Sequence, residues 1–193
     1  MELTTHHTDW LLIVVTLTTS LLMAARIYNS TRFREFSLLP FHASRVDIED
    51  SFNPVPGKGF VDFSLSIISP VILALTSYLL IHPSDGLLPV FNDWALYLKL
   101  LFIITMFFLI KNFLGMFVGW VFGTAEEIAI SQNVYLAYRS WLAIALLPFC
   151  IVLIFFPQAY AILYYILLVI TVLGMLLSLQ FTIARIWNMR IVA

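Results

Sequence analysis

Apolar positions along this chain gather into long charge-free runs. Residues 10–25 hold 16 consecutive uncharged positions, residues 63–84 hold 22, and residues 140–184 hold 45. One crossing of a hydrocarbon layer roughly 30 Å thick takes about 20 residues at 1.5 Å each. The longest run is therefore too long for one crossing and about right for two, with Pro157-Gln158 as its natural break. From Trp94 to Phe122 the chain is again apolar except for Lys99 and Lys111. The stretch between those lysines is too short to cross alone, so one long helix is predicted. The pattern predicts an all-α integral membrane protein: a five-helix transmembrane bundle forming one domain, residues 1–193. The spans fall near 10–28, 63–82, 94–122, 138–156 and 159–184.

Loop charge sets an orientation. The first loop carries Arg26, Arg32, Arg34, Arg45 and Lys58; Arg139 falls between spans three and four; the C-terminal tail carries Arg185 and Arg190. The N-terminal tail, the 82–93 loop and the Pro157-Gln158 hairpin carry no Lys or Arg. Cationic loops stay on the cytoplasmic side. Eight cations on one side and none on the other predict an N-out, C-in topology. A cleaved signal peptide is the competing reading of the first run. Its basic residues should precede the apolar stretch, whereas here they follow it, so a retained span is favoured.

Composition agrees and excludes other classes. Of the 193 residues 62 % are apolar and 11 % charged, with a net charge of −1 and a mean hydropathy of +0.98. Soluble domains average about 45–50 % apolar and 25 % charged. Disorder and nucleic-acid binding both need more charge than this. One cysteine, Cys150, permits no disulfide within the chain and reads as a small buried hydrophobe.

Two connecting segments carry local signals. The first loop begins basic and aromatic (Arg32-Phe33-Arg34), turns acidic (Asp47-Ile48-Glu49-Asp50) and ends in Asn53-Pro54-Val55-Pro56-Gly57. It reads as an ordinary cytoplasmic loop with interfacial anchors, or as a docking surface. Phe122-Gly123 looks like a helix end with a left-handed glycine cap. Thr124 and Glu127 have the spacing of a capping box, so a new helix should start at Ala125. A short cytoplasmic elbow helix between spans three and four is predicted, or an inward extension of the fourth span.

Among possible chemical groups Lys111 stands out. Lys99 is near a span end and can snorkel, but Lys111 lies twelve residues further along, about 18 Å by helical rise. A bare cation at that depth is costly and should face the bundle, a cavity or a partner. Asn112 adjoins it, and Gly115 and Gly119 follow on the same stripe as a GxxxG pattern that permits close helix approach. Three roles stay open for this group: structural pairing, a subunit contact, or a transport or proton pathway. The acceptors considered are Ser178, Gln180, Tyr164, Tyr165 and carbonyls freed around Pro148. No carboxylate lies inside a predicted span, which argues against an intramembrane relay. His6, His7, His42 and His82 lack metal-site spacing and lie outside span centres, so no metal ligand set is predicted. Hydrolase, P-loop and dinucleotide-binding motifs are missing, and no catalytic residue or cofactor is expected. Trp10, Trp94, Trp120, Trp141 and Trp187 fall near predicted span ends, as in an interfacial belt.

Most of the chain resembles an uncharacterised family of multi-pass inner-membrane proteins of the Bacteroidota, catalogued as a domain of unknown function. The resembling features are Lys111 within an apolar helix, Gly119-Trp120-Val121-Phe122 closing it, Asn133, Leu147-Pro148, and the arginines and phenylalanines of the first loop. The resemblance implies a bacterial inner-membrane location, genes often near that of uroporphyrinogen-III synthase, and one more apolar segment past the position of Arg190. A sixth span is then missing, or the chain is trimmed. The leading expectation is a non-enzymatic subunit or scaffold of an envelope complex, with the bilayer and a membrane-protein partner or second copy as its contacts. The alternatives are a small transporter or channel with a site around Lys111, and a haem-pathway-associated membrane protein.

Overall fold

A computed structural model describes residues 9–31, 33–34, 58–81, 94–156, 162–174 and 176, apart from the side chains of 9, 58, 125–127, 130 and 134. All the regular structure described is helical: α1 (Asp9–Tyr28), α2 (Lys58–Ile81), α3 (Trp94–Phe122), α4 (Ala125–Phe155) and α5 (Ile162–Gly174). The first four are long and apolar enough to cross a membrane. The ends of the fifth predicted span, at 159–161 and beyond 176, lie outside the described residues, as do most of the first loop and the C-terminal tail.

Aromatic contacts fix the up-and-down order. Trp10 at the start of α1 meets Tyr78 near the end of α2 at 5.4 Å and Tyr97 at the start of α3 at 5.3 Å. At the opposite end Tyr28 meets Phe60 at 4.9 Å. The first three helices are therefore successively antiparallel, and the two-residue turn makes α4 antiparallel to α3. Helix α2 is the central one and packs on α1, α3 and α4. Its buried positions Ile68, Ile72, Leu75 and Leu79 recur every three or four residues and meet Leu142, Leu146 and Leu153 of α4, Leu11 of α1 and Leu167 of α5. Thr76 and Cys150 touch across α2 and α4 at 3.4 Å, so the lone cysteine is a packed core residue. Both α2 and α4 run through an internal proline, Pro70 and Pro148.

The connection between α3 and α4 is two residues long. Gly123 has φ +68°, the left-handed conformation that glycine adopts without steric cost. The Thr124 amide donates to the Gly119 carbonyl at 2.9 Å, closing a Schellman turn. Thr124 is the N-cap of α4, but its side chain makes no capping bond, and the Glu127 side chain lies outside the described residues. The stretch expected to form a short elbow is the beginning of α4 itself: one helix runs unbroken from Ala125 to Phe155. No proline or glycine interrupts residues 125–147, so nothing stops the helix before it enters the bundle.

That continuity corrects two expectations, and the start of α2 corrects a third. Arg139 is not a loop cation; it sits fourteen residues into α4 and is 8 % exposed. Arg26 likewise lies within α1, so the cations counted that fall outside the predicted spans number six, not eight. Trp141 lies mid-helix and packs on the core, away from any span end. Asp62 falls within the first turns of α2 instead of just ahead of a span.

Candidate functional site

The tight turn at Gly123 sets the register of an antiparallel hairpin, so residues equidistant from it face one another. Lys111 stands twelve residues before Gly123 and Tyr135 twelve after; Phe108 stands fifteen before and Arg139 sixteen after. Both pairs meet. The Lys111 Nζ lies 3.1 Å from the centroid of the Tyr135 ring, and the Arg139 guanidinium carbon lies 4.0 Å from that of Phe108. The two rings are themselves edge to face at 6.5 Å. The result is a ladder across the hairpin: cation, ring, ring, cation. The negative face of each ring attracts its cation, but a ring carries no net charge, so both positive charges persist.

Further down the hairpin the glycine pattern does what small residues allow. A side-chain carbon at Gly115 would lie 2.6 Å from Gln132 Nε2. That absence lets Gln132 reach across and donate to the Asn112 backbone carbonyl at 3.0 Å. Asn112 thus contributes its main chain, and the half-buried Gly115 contributes space. Gly119 is buried, and its carbonyl closes the turn. Of the four residues singled out by sequence, Lys111 faces the cavity described next, whereas Asn112, Gly115 and Gly119 serve helix packing.

The ladder forms one wall of a cavity of about 650 Å³ between α2, α3, α4 and α5. Small-molecule sites commonly run from about 300 to 1,000 Å³. Its polar groups are Lys111, Arg139, the hydroxyls of Thr76, Ser77 and Thr171, and Tyr135 and Tyr138. The remaining lining is aliphatic and phenyl, and among the described residues no carboxylate is part of it. The hydroxyl of Thr171 is engaged with the Leu167 carbonyl at 2.8 Å and that of Ser77 with Leu73 at 2.8 Å. Arg139 Nε is buried with no hydrogen-bond partner. Such a group carries a desolvation cost that a bound acceptor would relieve.

Among the described residues, the Lys111 contact on record is with the Tyr135 ring, which was not among the acceptors considered. Tyr164 and Tyr165 meet each other at 5.6 Å, and Ser178 and Gln180 lie outside the described residues. Tyr135, Phe108 and above all Arg139 were missed by sequence reasoning. The signal was present in the position of Gly123, which fixes the pairs by counting outward from the turn. Among the described residues no group of three or more His, Cys, Asp or Glu could hold a metal ion.

These features define an all-helical protein with four helices suited to crossing a membrane and a doubly cationic cavity among them. The chain belongs to the family described as domain of unknown function (DUF4271), whose model matches residues 11–192. No curated protein and no solved structure matches it.

Proposed function

We propose that this chain is a non-enzymatic integral protein of a bacterial inner membrane, oriented N-out, that binds an anion inside its helical bundle as a small transporter does. One observation carries the reading: Lys111 and Arg139 line the same cavity, each against an aromatic face, with no carboxylate among the described residues of its lining. Intramembrane cations are rare and costly, and they mark ligand or ion paths when they face a cavity. A structural pair would instead bring an acidic partner. The six cations outside the predicted spans, Arg32, Arg34, Arg45, Lys58, Arg185 and Arg190, all in segments assigned to one side, support the orientation.

The test is equilibrium binding of phosphate-bearing and carboxylate-bearing anions to purified protein, read as a saturable rise in Tm. Wild type should respond, and Lys111→Met with Arg139→Met should remove the response. A response that survives in the double variant, or none in wild type, defeats the reading.

A subunit role is the second reading, favoured by α3. Its apolar stretch has no buried positions over its most hydrophobic window, and Phe113, Phe117 and Trp120 point away from the bundle. Gentle extraction followed by mass spectrometry should then find one stoichiometric membrane partner. A lone monomer would end this reading.

A further inference from the structure

Resting on the anion-binding reading, we propose that the occupant of the cavity is a single-chain lipid phosphate, held head between Lys111 and Arg139 with its tail along α3, and entering sideways from the bilayer. Three observations converge on this chemistry.

The first is the position of the opening. Ile103, Phe107 and Lys111 line the cavity and follow one another at intervals of four, so they form one stripe of α3. Ile103 is 61 % exposed and Phe107 60 % exposed, so this stripe is an open lip and not a sealed wall. It lies in the middle of a 29-residue helix. At that depth hydrocarbon, not water, meets the lip. A ligand seated there must present an alkyl chain to the bilayer through the lip, while its charged head stays against the cavity cations.

The second is the division of the lining. Leu73, Leu80, Ile103, Ile104, Phe107 and Leu142 offer no hydrogen bond, so they suit an alkyl chain. Lys111 and Arg139 adjoin them in the same lining, on α3 and α4. A free inorganic anion would leave that apolar surface uncovered, and a neutral lipid would leave both cations without a counter-charge.

The third is charge. Two cations, with no carboxylate among the described lining residues, complement a head of about two negative charges. A phosphate monoester carries roughly −1.5 to −2 at neutral pH, whereas a carboxylate carries one charge. Arginine forks onto phosphate oxygens, and lysine serves as a point charge beside it.

The experiment uses the full chain in a neutral detergent and four probes: lysophosphatidic acid, the uncharged monoacylglycerol of the same chain, oleate, and inorganic phosphate. Binding is read as a saturable rise in Tm with probe concentration. Lysophosphatidic acid should bind at least tenfold tighter than each of the others, and both Lys111→Met and Arg139→Met should weaken it tenfold or more. Phosphate binding as tightly as the lipid would overturn the lipid proposal while leaving the anion reading standing. Oleate binding equally well would overturn the choice of phosphate alone. Monoacylglycerol binding equally well would overturn both the proposal and the anion reading, and so would no binding by any probe. Circular dichroism of each variant separates loss of binding from loss of fold, and the wild-type comparison among probes needs no variant at all.

Discussion

Replacing Arg139 with methionine should make the bundle more stable while removing its anion site. Arg139 is 8 % exposed, carries a partnerless Nε, and has the Phe108 ring at 4.0 Å. Placing an arginine at the centre of a spanning helix costs roughly 2.5–3.5 kcal/mol, whereas apolar residues are slightly favourable there. A desolvated cation–ring contact offsets about 2 kcal/mol of that cost. The difference predicts that Arg139→Met stabilises the protein by about 1 kcal/mol, because methionine is unbranched and fills irregular space. For a chain of this size the gain corresponds to a Tm rise of about 2–4 °C. Thermal unfolding in neutral detergent, without added anion, measures it. Arg139→Lys serves as the control: it keeps the charge but loses the planar stack, and it should melt below wild type. The reasoning fails if Arg139→Met melts lower than wild type by more than a few degrees. Such a result would mean that the guanidinium is already satisfied, and the site would not be waiting for an anion. A stabilising substitution at a ligand site is a familiar trade between stability and function.

Five further outcomes follow from packing and backbone conformation. Gly174→Ala would press its new carbon onto Leu142 Cδ1, with Cδ2 at 2.9 Å and Cγ at 3.1 Å, and should cost about 1–3 kcal/mol in denaturant unfolding. Gly59→Ala, with nothing within 4 Å, should leave the same curve unmoved or slightly improved. Gln132→Ala removes the 3.0 Å bond to Asn112 and should cost about 0.6 kcal/mol, up to about 1.7, the range found for hydrogen bonds between membrane helices. An effect near zero there would mean that Gly115 alone sets the approach of α3 and α4. Gly123→Ala adds a side chain at φ +68° in otherwise open space, so a loss of about 1–2 kcal/mol would be purely conformational. Cys150, buried against Thr76, should resist maleimide in the folded protein and react only on denaturation; rapid labelling of folded protein would contradict the packing of α2 on α4.

Much of the architecture could be read along the chain because a bilayer imposes so simple a rule. Every backbone polar group must be satisfied within a span, so an apolar run of sufficient length becomes a helix. Lys111 was legible for the same reason: a charge inside such a run is conspicuous. Arg139 was hidden by the very pattern that exposed Lys111. It stands at the border of the longest uncharged run, where a charge ordinarily marks the beginning of a loop. Only the unbroken course of α4 from Ala125 carries it into the interior. Trp141 misled in the same way, two residues further on.

By itself the sequence determined the helices, the glycine turn at Gly123 and the presence of a costly cation at Lys111, because each follows from local hydropathy or local backbone freedom. The tertiary structure decided which groups meet: Lys111 with Tyr135, Arg139 with Phe108, and both cations on one cavity closed by α2 and α5. Those meetings depend on helix register and rotation. Neither is fixed by hydropathy in a chain whose helices are apolar on nearly every side; both are fixed by the length of a two-residue turn and the space left at Gly115.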